Sequence, residues 1–211
     1  MRGQRVLVLI VVIAVGSITG AYFYTMHQRR ASEGQLRGVK VLAIIAEGFD
    51  YTEYIGVVNY LRKEGAEITT ASFSTKTVSG HGGSFTPEIT FNEVNVSVFH
   101  VIFIPGGDGP YNIIHNEQNQ TVFNILTRAL NEGKIVAAIC HGPWVLAAAD
   151  LVNGVRVTCW RDEDMIRDLE AQGAEVDTGE SVIRDRNIIT ANGPAAIEAF
   201  SREIVSALAE K

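Results

Sequence analysis

One cysteine lies where a strand-like run ends and a helix-like segment begins. Residues 137–143 (AAICHGP) carry a hydrophobic run directly into Cys140, and Gly142-Pro143 is typical of a helix start. This strand–turn–helix order is that of a nucleophile elbow, with sulfur in place of the serine oxygen. Because a helix N-terminus stabilises an anion, the pattern predicts a lowered thiol pKa. Cys140 is therefore the candidate nucleophile; the alternative is a small apolar residue at a strand end.

A second loop has the composition of a ligand-binding turn. Residues 104–109 (IPGGDG) follow another short apolar run. Their glycines allow the backbone to approach a ligand closely and to turn its amides toward it. One amide from each of the two loops would form an oxyanion hole.

The elements that must position these loops alternate between strand and helix. Continuous apolar runs indicate strands buried on both faces, and apolar residues at helical spacing indicate helices between them. This order predicts a mainly parallel sheet with helices on both faces, with chemistry at the carboxyl ends of the strands. The predicted strands are 39–46, 68–73, 101–104, 135–139, 155–159 and 188–191; the predicted helices are 51–64, 122–131, 162–172 and 195–208; and 79–83 (SGHGG) is predicted as a turn.

Composition excludes several classes of protein. The 211 residues carry a net charge of -6, which leaves no basic surplus for nucleic acid. Two cysteines are too few for a disulfide scaffold or a zinc site. His81 and His115 have no partners at ligand spacing, and we expect no metal and no cofactor.

The N-terminal segment differs from the rest of the chain. Residues 6–26 contain no charged side chain and would span a bilayer as a helix. We interpret residues 1–27 as a transmembrane anchor or a signal peptide, favouring the uncleaved anchor, with the side of the membrane left open. Residues 28–38 are predicted to be a linker and residues 39–211 a single domain.

Four short motifs together resemble the DJ-1/PfpI superfamily: EGFDYTEY after the first strand, PGG, AAICHGP, and TANGP near the end. The histidine after the cysteine is similar to the PfpI branch. The resemblance implies an α/β, flavodoxin-like fold of the class I glutamine amidotransferase type. It also implies that Cys140 is the nucleophile with His141 beside it, that the amides of Gly107 and His141 form the oxyanion hole, and that Asp50 is the acidic partner of the thiol.

Substrate contacts follow from the same resemblance, with two departures from the family. Gly106, Tyr111 and Trp160 are the expected substrate-binding residues. Tyr111 occupies the place where PfpI-type proteases have a glutamate, which weakens a peptidase assignment. Asp50 is one methylene shorter than the usual glutamate, and Asp50 with Glu53 also fits a capping box, D-x-x-E, at the start of the first helix.

The motifs and the resemblance leave three functions open. The first is a glyoxalase III-like or deglycase-like enzyme that attacks small reactive carbonyls through the Cys140 thiolate. The second is a PfpI-type cysteine peptidase or amidase, and the third is a non-catalytic stress sensor in which Cys140 is oxidised. The expected partners are a small carbonyl or peptide substrate, a membrane through the N-terminal segment, and further copies of this chain in a homodimer or higher oligomer.

Overall fold

The computed structural model describes residues 34–211, which are built around a seven-stranded sheet. Three short 3₁₀ turns (Phe91–Glu93, Val96–Val98 and Pro194–Ala196) join the regular elements. The strands are β1 (Lys40–Ile44), β2 (Phe49–Asp50), β3 (Glu67–Ser72), β4 (Val78–His81), β5 (Gly83–Phe85), β6 (Ile89–Thr90), β7 (Val101–Ile104), β8 (Ile135–Ile139), β9 (Arg156–Val157), β10 (Glu175–Val176), β11 (Val182–Asp185) and β12 (Ile188–Ala191). The helices are α1 (Tyr51–Lys63), α2 (Gly109–Ile114), α3 (Asn119–Asn131), α4 (Pro143–Ala148), α5 (Glu163–Ala171) and α6 (Ile197–Ala209).

The sheet has the order β11-β12-β8-β7-β1-β3-β6. All neighbouring strands are parallel except β11, which runs antiparallel to β12. The mainly parallel, flavodoxin-like α/β fold predicted from the sequence is thereby confirmed. The strands β7, β8 and β12 lie side by side, so their carboxyl ends bring the glycine loop, Cys140 and the TANGP segment to one edge.

Each central strand is apolar on both faces because helices cover both sides. In β1, Leu42 and Ile44 pack into one core, whereas Val41 and Ala43 pack into the other. Residues of α1 and α6 complete the second core, and residues of α2 to α5 complete the first. This double burial explains why the strands appear in the sequence as unbroken apolar runs.

Several regions differ from the sequence-based prediction, including α2, β6 and β10, which were not predicted. The SGHGG segment is part of a hairpin, because β4 and β5 pair antiparallel around it. The strand predicted at 155–159 is reduced to β9, which pairs with β10 in a separate two-stranded sheet. The strand β11 was not predicted; of its four residues only Ile183 is buried, so it lacks the continuous apolar run of the central strands.

The compact unit that contains the sheet begins at Leu36. Leu36 is 1% exposed, and its N–H donates to the Glu64 carbonyl at 2.7 Å. The predicted anchor at residues 1–27 lies outside the described residues, as does most of the predicted linker. From residue 34 onward, no helix combines the length and the apolar character needed to cross a membrane.

Candidate active site

Cys140 occupies a strained turn between β8 and α4. Its φ of 60° lies in the left-handed region, which is unfavourable for a residue with a side chain. The turn is fixed on both sides: the Cys140 N–H donates to the Ala191 carbonyl at 2.8 Å, and the Cys140 carbonyl accepts from the Trp160 N–H at 3.0 Å. Strain of about 1–3 kcal/mol that the surroundings enforce is a mark of functional sites. The geometry is that of the nucleophile elbow.

The glycine loop after β7 is paired with the segment that precedes α1. The Asp50 N–H donates to the Gly106 carbonyl at 2.9 Å, and the Asp108 N–H donates to the Gly48 carbonyl at 2.8 Å. Gly107 has a φ of 77°, which a residue with a Cβ rarely adopts. This pairing holds the first turn of α1 against the loop and against Cys140.

Glu53, in that first turn, is the acidic side chain beside the thiol. It is fully buried, its Oε2 accepts the Gly106 N–H at 2.8 Å, and its carboxyl interacts with the Cys140 side chain. Its other oxygen, Oε1, is buried without a hydrogen-bond partner among residues 34–211. Burial raises the pKa of Glu53 to about 7; the Gly106 N–H opposes the shift and the negative charge of Asp50 adds to it.

Asp50 lies on the other side of this turn as the N-cap of α1. Its Oδ1 accepts the Glu53 N–H at 2.9 Å, which is one half of a capping box. The other half is not formed, because the Glu53 carboxyl is directed to Gly106 and Cys140 instead of to the Asp50 N–H. The structure therefore gives Glu53, and not Asp50, the position that the sequence analysis assigned to the acidic partner of the thiol.

The groups around the Cys140 thiol shift its pKa in opposite directions. The backbone N–H groups of Gly107 and His141, the two amides expected to form the oxyanion hole, both donate toward its sulfur and favour the thiolate. Burial and, next, the negative charge of Glu53 outweigh them, and the pKa of Cys140 is raised above its ordinary value. The prediction of a lowered pKa for this thiol is thus wrong, because Cys140 is only 7% exposed and its burial is the largest cause of the shift.

His141 contacts the thiol directly. Its Nδ1 lies 3.4 Å from the Cys140 sulfur. Burial lowers the pKa of His141, whereas the charges of Asp162 and Asp108 act in the opposite direction. His141 is therefore held mostly neutral near pH 7, the form that can accept a proton.

A cleft of about 460 Å³ adjoins the elbow. Trp160, whose N–H is bonded to Cys140, forms one wall, and its ring packs so closely on Gly193 that a Cβ there would approach it to 2.9 Å. Trp160 is 48% exposed and is available to a ligand in this cleft. The cleft is lined by Cys159, Trp160, Arg161, Thr178, Gly179, Asn192, Gly193, Pro194 and Ala195.

Comparisons with known proteins agree with this geometry. The model of the DJ-1/PfpI family matches residues 39–207. The chain belongs to the DJ-1/PfpI family. It is 35% identical to "Deglycase PH1704" of Pyrococcus horikoshii over 173 residues, which are 81% of this chain and 99% of that protein. It is 32% identical to "Protein/nucleic acid deglycase 2" of Escherichia coli, over 80% of this chain and 97% of that protein. The solved structure of Drosophila melanogaster DJ-1beta superposes with a TM-score of 0.73 at 27% identity, covering 82% of this chain and 91% of that one.

These relatives correct the predicted localisation. They align along 97–99% of their own length, which leaves no room in them for an anchor like the one predicted for residues 1–27. The described helices offer no membrane span either. The predicted localisation of the protein as membrane-anchored is therefore wrong on these findings, and the membrane as a partner is left without support.

Of the residues expected to bind substrate in the DJ-1/PfpI site, Tyr111 is exposed and Gly106 is bonded to protein. Tyr111 is 48% exposed on α2 and stacks on His115 with a ring-centroid distance of 4.0 Å. Gly106 contacts protein on both sides, since its N–H bonds Glu53 and its carbonyl bonds Asp50. The N–H of Gly106 thus holds the Glu53 carboxyl in place. From residue 34 onward, no group of three or more His, Cys, Asp or Glu side chains is arranged to hold a metal ion.

We expect Gly106→Ala to disrupt this DJ-1/PfpI site. A Cβ at Gly106 would lie 2.5 Å from the Cys140 Cβ, 2.7 Å from the Glu53 Oε2 and 3.0 Å from the Cys140 sulfur. Overpacking of this kind costs about 1–3 kcal/mol, which urea denaturation will measure. Iodoacetamide should also alkylate Cys140 more slowly, because the new methyl covers the sulfur. An unchanged midpoint and an unchanged alkylation rate would contradict the close packing of this loop.

Proposed function

We propose that this protein is an enzyme that converts small 2-oxoaldehydes to hydroxy acids, a glyoxalase-type and deglycase-type activity, with Cys140 as its nucleophile. The observation that carries the proposal is the buried pair of Cys140 and Glu53. The thiol, on a strained backbone turn, faces a carboxyl whose pKa is raised to about 7. A carboxyl that titrates near neutrality can both donate and accept a proton under physiological conditions. The deglycase names of relatives at 32–35% identity support the same chemistry.

The reaction would begin with addition of sulfur to the aldehyde. The Cys140 thiolate forms a bond to the aldehyde carbon, the carbonyl electron pair moves to oxygen, and protonated Glu53 supplies the proton that gives a hemithioacetal. The N–H groups of Gly107 and His141, which face the sulfur, are placed to stabilise negative charge on that oxygen.

The remaining steps would transfer two protons and add water. Ionised Glu53 removes the hydrogen from the former aldehyde carbon as the keto oxygen takes up a proton, which gives an enediol. A proton then adds to the neighbouring carbon, and the hydroxyl on the sulfur-bearing carbon loses its proton as the carbonyl forms. The product at this stage is a thioester on Cys140. Water then cleaves the thioester to a 2-hydroxy acid and the free thiol, so the sum is one oxoaldehyde and one water to one hydroxy acid. No electron acceptor is required, because one carbon is oxidised and its neighbour is reduced.

Methylglyoxal and the purified full chain provide the test. We expect lactate to form with turnover, and we expect one equivalent of iodoacetamide to stop it by modifying Cys140. Cys159 should remain unmodified at neutral pH, because it is fully buried, whereas Cys140 is 7% exposed at the elbow. Mass spectrometry of tryptic peptides will identify the alkylated residue.

Two results would overturn the proposal. One is full turnover after complete alkylation of Cys140. The other is cleavage of a fluorogenic peptide without any lactate from methylglyoxal, which would favour the peptidase. The predicted homo-oligomer and the absence of a nucleic-acid partner stay predictions.

A further inference from the structure

The cleft beside the elbow opens between two segments that are each bonded to the backbone of Cys140. The Trp160 N–H donates to the Cys140 carbonyl at 3.0 Å, and the Cys140 N–H donates to the Ala191 carbonyl at 2.8 Å. Trp160 and Asn192, the residue after Ala191, both line the cleft. Its volume of about 460 Å³ falls within the range of roughly 300–1,000 Å³ that is typical of small-molecule sites. A substrate that reacts at Cys140 therefore has room to extend into this cleft.

Arg161 gives the cleft a positive charge. Among the described residues that line it, Arg161 alone is charged. Within residues 34–211 no carboxylate forms an ion pair with Arg161, and its Nη2 makes only a long hydrogen bond of 3.5 Å to the Thr178 carbonyl. Arg167, by contrast, pairs with Asp164 at 2.5 Å. Because a guanidinium has five N–H donors, Arg161 retains donors for an anionic ligand.

The cleft wall that contains Thr178 does not depend on Arg161. The Glu180 carbonyl accepts from Thr158 Oγ1 at 2.8 Å and from Asn192 Nδ2 at 3.3 Å. These two hydrogen bonds hold the loop in place whether or not Arg161 contacts Thr178. The guanidinium can therefore turn toward a ligand, or be replaced, while the shape of the cleft is kept.

Trp160 places an apolar surface next to this cation. One edge of its ring packs on Gly193, where a Cβ would approach the ring to 2.9 Å, and the side chain is 48% exposed. An exposed indole surface fits the methylene groups of a ligand. Since Trp160 is bonded to Cys140 and followed by Arg161, the thiol, the apolar ring and the cation are adjacent along the chain.

We propose that this cleft binds a carboxylate at the far end of the substrate, with Arg161 pairing with the carboxylate and Trp160 packing on the methylene groups that join it to the reacting carbonyl. The inference rests on the proposed aldehyde chemistry of Cys140 and names its substrates as 2-oxoaldehydes that carry a carboxylate. A guanidinium matches a planar carboxylate with two parallel hydrogen bonds. A phosphate monoester would bring nearly two negative charges to a cleft with a single cation, so it fits less well.

Two matched substrates test this preference. Both 4,5-dioxopentanoate and 2-oxopentanal are five-carbon 2-oxoaldehydes, and only the first carries a carboxylate. By the steps proposed above, one 4,5-dioxopentanoate and one water give one 2-hydroxyglutarate and one proton. We expect the wild-type kcat/KM to be about tenfold higher for 4,5-dioxopentanoate, the lower end for a charge-assisted hydrogen bond because Arg161 is exposed. Arg161→Gln should remove this preference by raising KM with little change in kcat.

Arg167→Gln is the control, because it removes the same charge from an arginine that pairs with Asp164 in solvent. It should keep the preference for 4,5-dioxopentanoate.

Two further aldehydes test the binding without any turnover. Both 5-oxopentanoate and pentanal can add reversibly to the Cys140 thiol, but neither has the keto group that isomerisation needs. We expect 5-oxopentanoate to protect Cys140 from iodoacetamide at a concentration about tenfold lower than pentanal, in wild type and in Arg167→Gln. In Arg161→Gln the two aldehydes should protect equally.

The outcomes separate this inference from the proposed activity. Equal protection by the two aldehydes in wild type, or a preference that survives Arg161→Gln, would overturn the carboxylate site. Should Arg161→Gln unfold, about 1 M sodium chloride must weaken protection of the wild type by 5-oxopentanoate and not by pentanal, or the inference fails. A preference in protection that depends on Arg161, without turnover of either oxoaldehyde, would support the site and overturn the glyoxalase-type activity.

Discussion

Glu53→Gln should lower methylglyoxal turnover about a thousandfold, the scale for loss of a positioned acid or base. The glutamine carbonyl can still accept the Gly106 N–H, so the loop geometry is kept, but the side chain can no longer exchange a proton. Wild-type turnover should rise with pH through an inflection near 7, where the pair of Glu53 and Cys140 gives up one of its two protons and the two groups share the one that remains. In Glu53→Gln the inflection of thiol alkylation should move to lower pH, because the substitution removes the negative charge of Glu53 that raises the pKa of Cys140. Steady-state rates and iodoacetamide kinetics across this range will measure both effects.

Asp50→Asn is the matched control for this substitution. It removes a carboxyl from the same turn of α1 and keeps the N-cap, since asparagine accepts the Glu53 N–H equally well. We expect turnover to change less than about threefold, with the inflection slightly lower because the charge of Asp50 raises the pKa of Glu53. If instead Asp50→Asn loses turnover and Glu53→Gln keeps it, Asp50 is the acid of the site and Glu53 supports the fold.

The sequence predicts the frame of this site well. The strands β7, β8 and β12 were predicted with their observed bounds, because a strand buried on both faces is a continuous apolar run that ends abruptly at polar or glycine residues. The elbow at Cys140 could be predicted because strand, nucleophile and Gly-Pro are consecutive in the chain. These features are local in the sequence, so sequence patterns can predict them.

The acidic partner of the thiol could not be chosen from local pattern. Asp50 and Glu53 are both polar positions at a helix start, and D-x-x-E fits a capping box. Only the pairing of Gly106 with the chain before α1, across more than fifty residues, turns the Glu53 carboxyl inward. The predicted direction of the thiol pKa shift was wrong for the same reason, since burial and the charge of Glu53 are properties of the tertiary structure. The proximity of Asp162 to His141 likewise depends on a turn bonded to the elbow.

Glu53 should also make the folded state less stable as the pH rises. Its pKa is raised from 4.5 to about 7 on folding, so the folded protein binds more protons than the unfolded chain between these values. Stability contributed by protonated Glu53 is fully present below pH 4.5 and is lost as the pH rises through 7. A shift of this size corresponds to about 3 kcal/mol.

Comparing wild type with Glu53→Gln isolates this contribution, since every other titrating group is common to both proteins. We expect the free energy of unfolding of Glu53→Gln, relative to wild type, to increase by about 3 kcal/mol between pH 4.5 and pH 8. Urea denaturation at several pH values will measure the difference. The variant that is nearly inactive would then be the more stable protein above neutrality, as expected where a catalytic group is buried at the expense of the fold. Parallel pH dependences for the two proteins would mean that Glu53 does not titrate in this range, and the shared proton of the Glu53–Cys140 pair would be excluded.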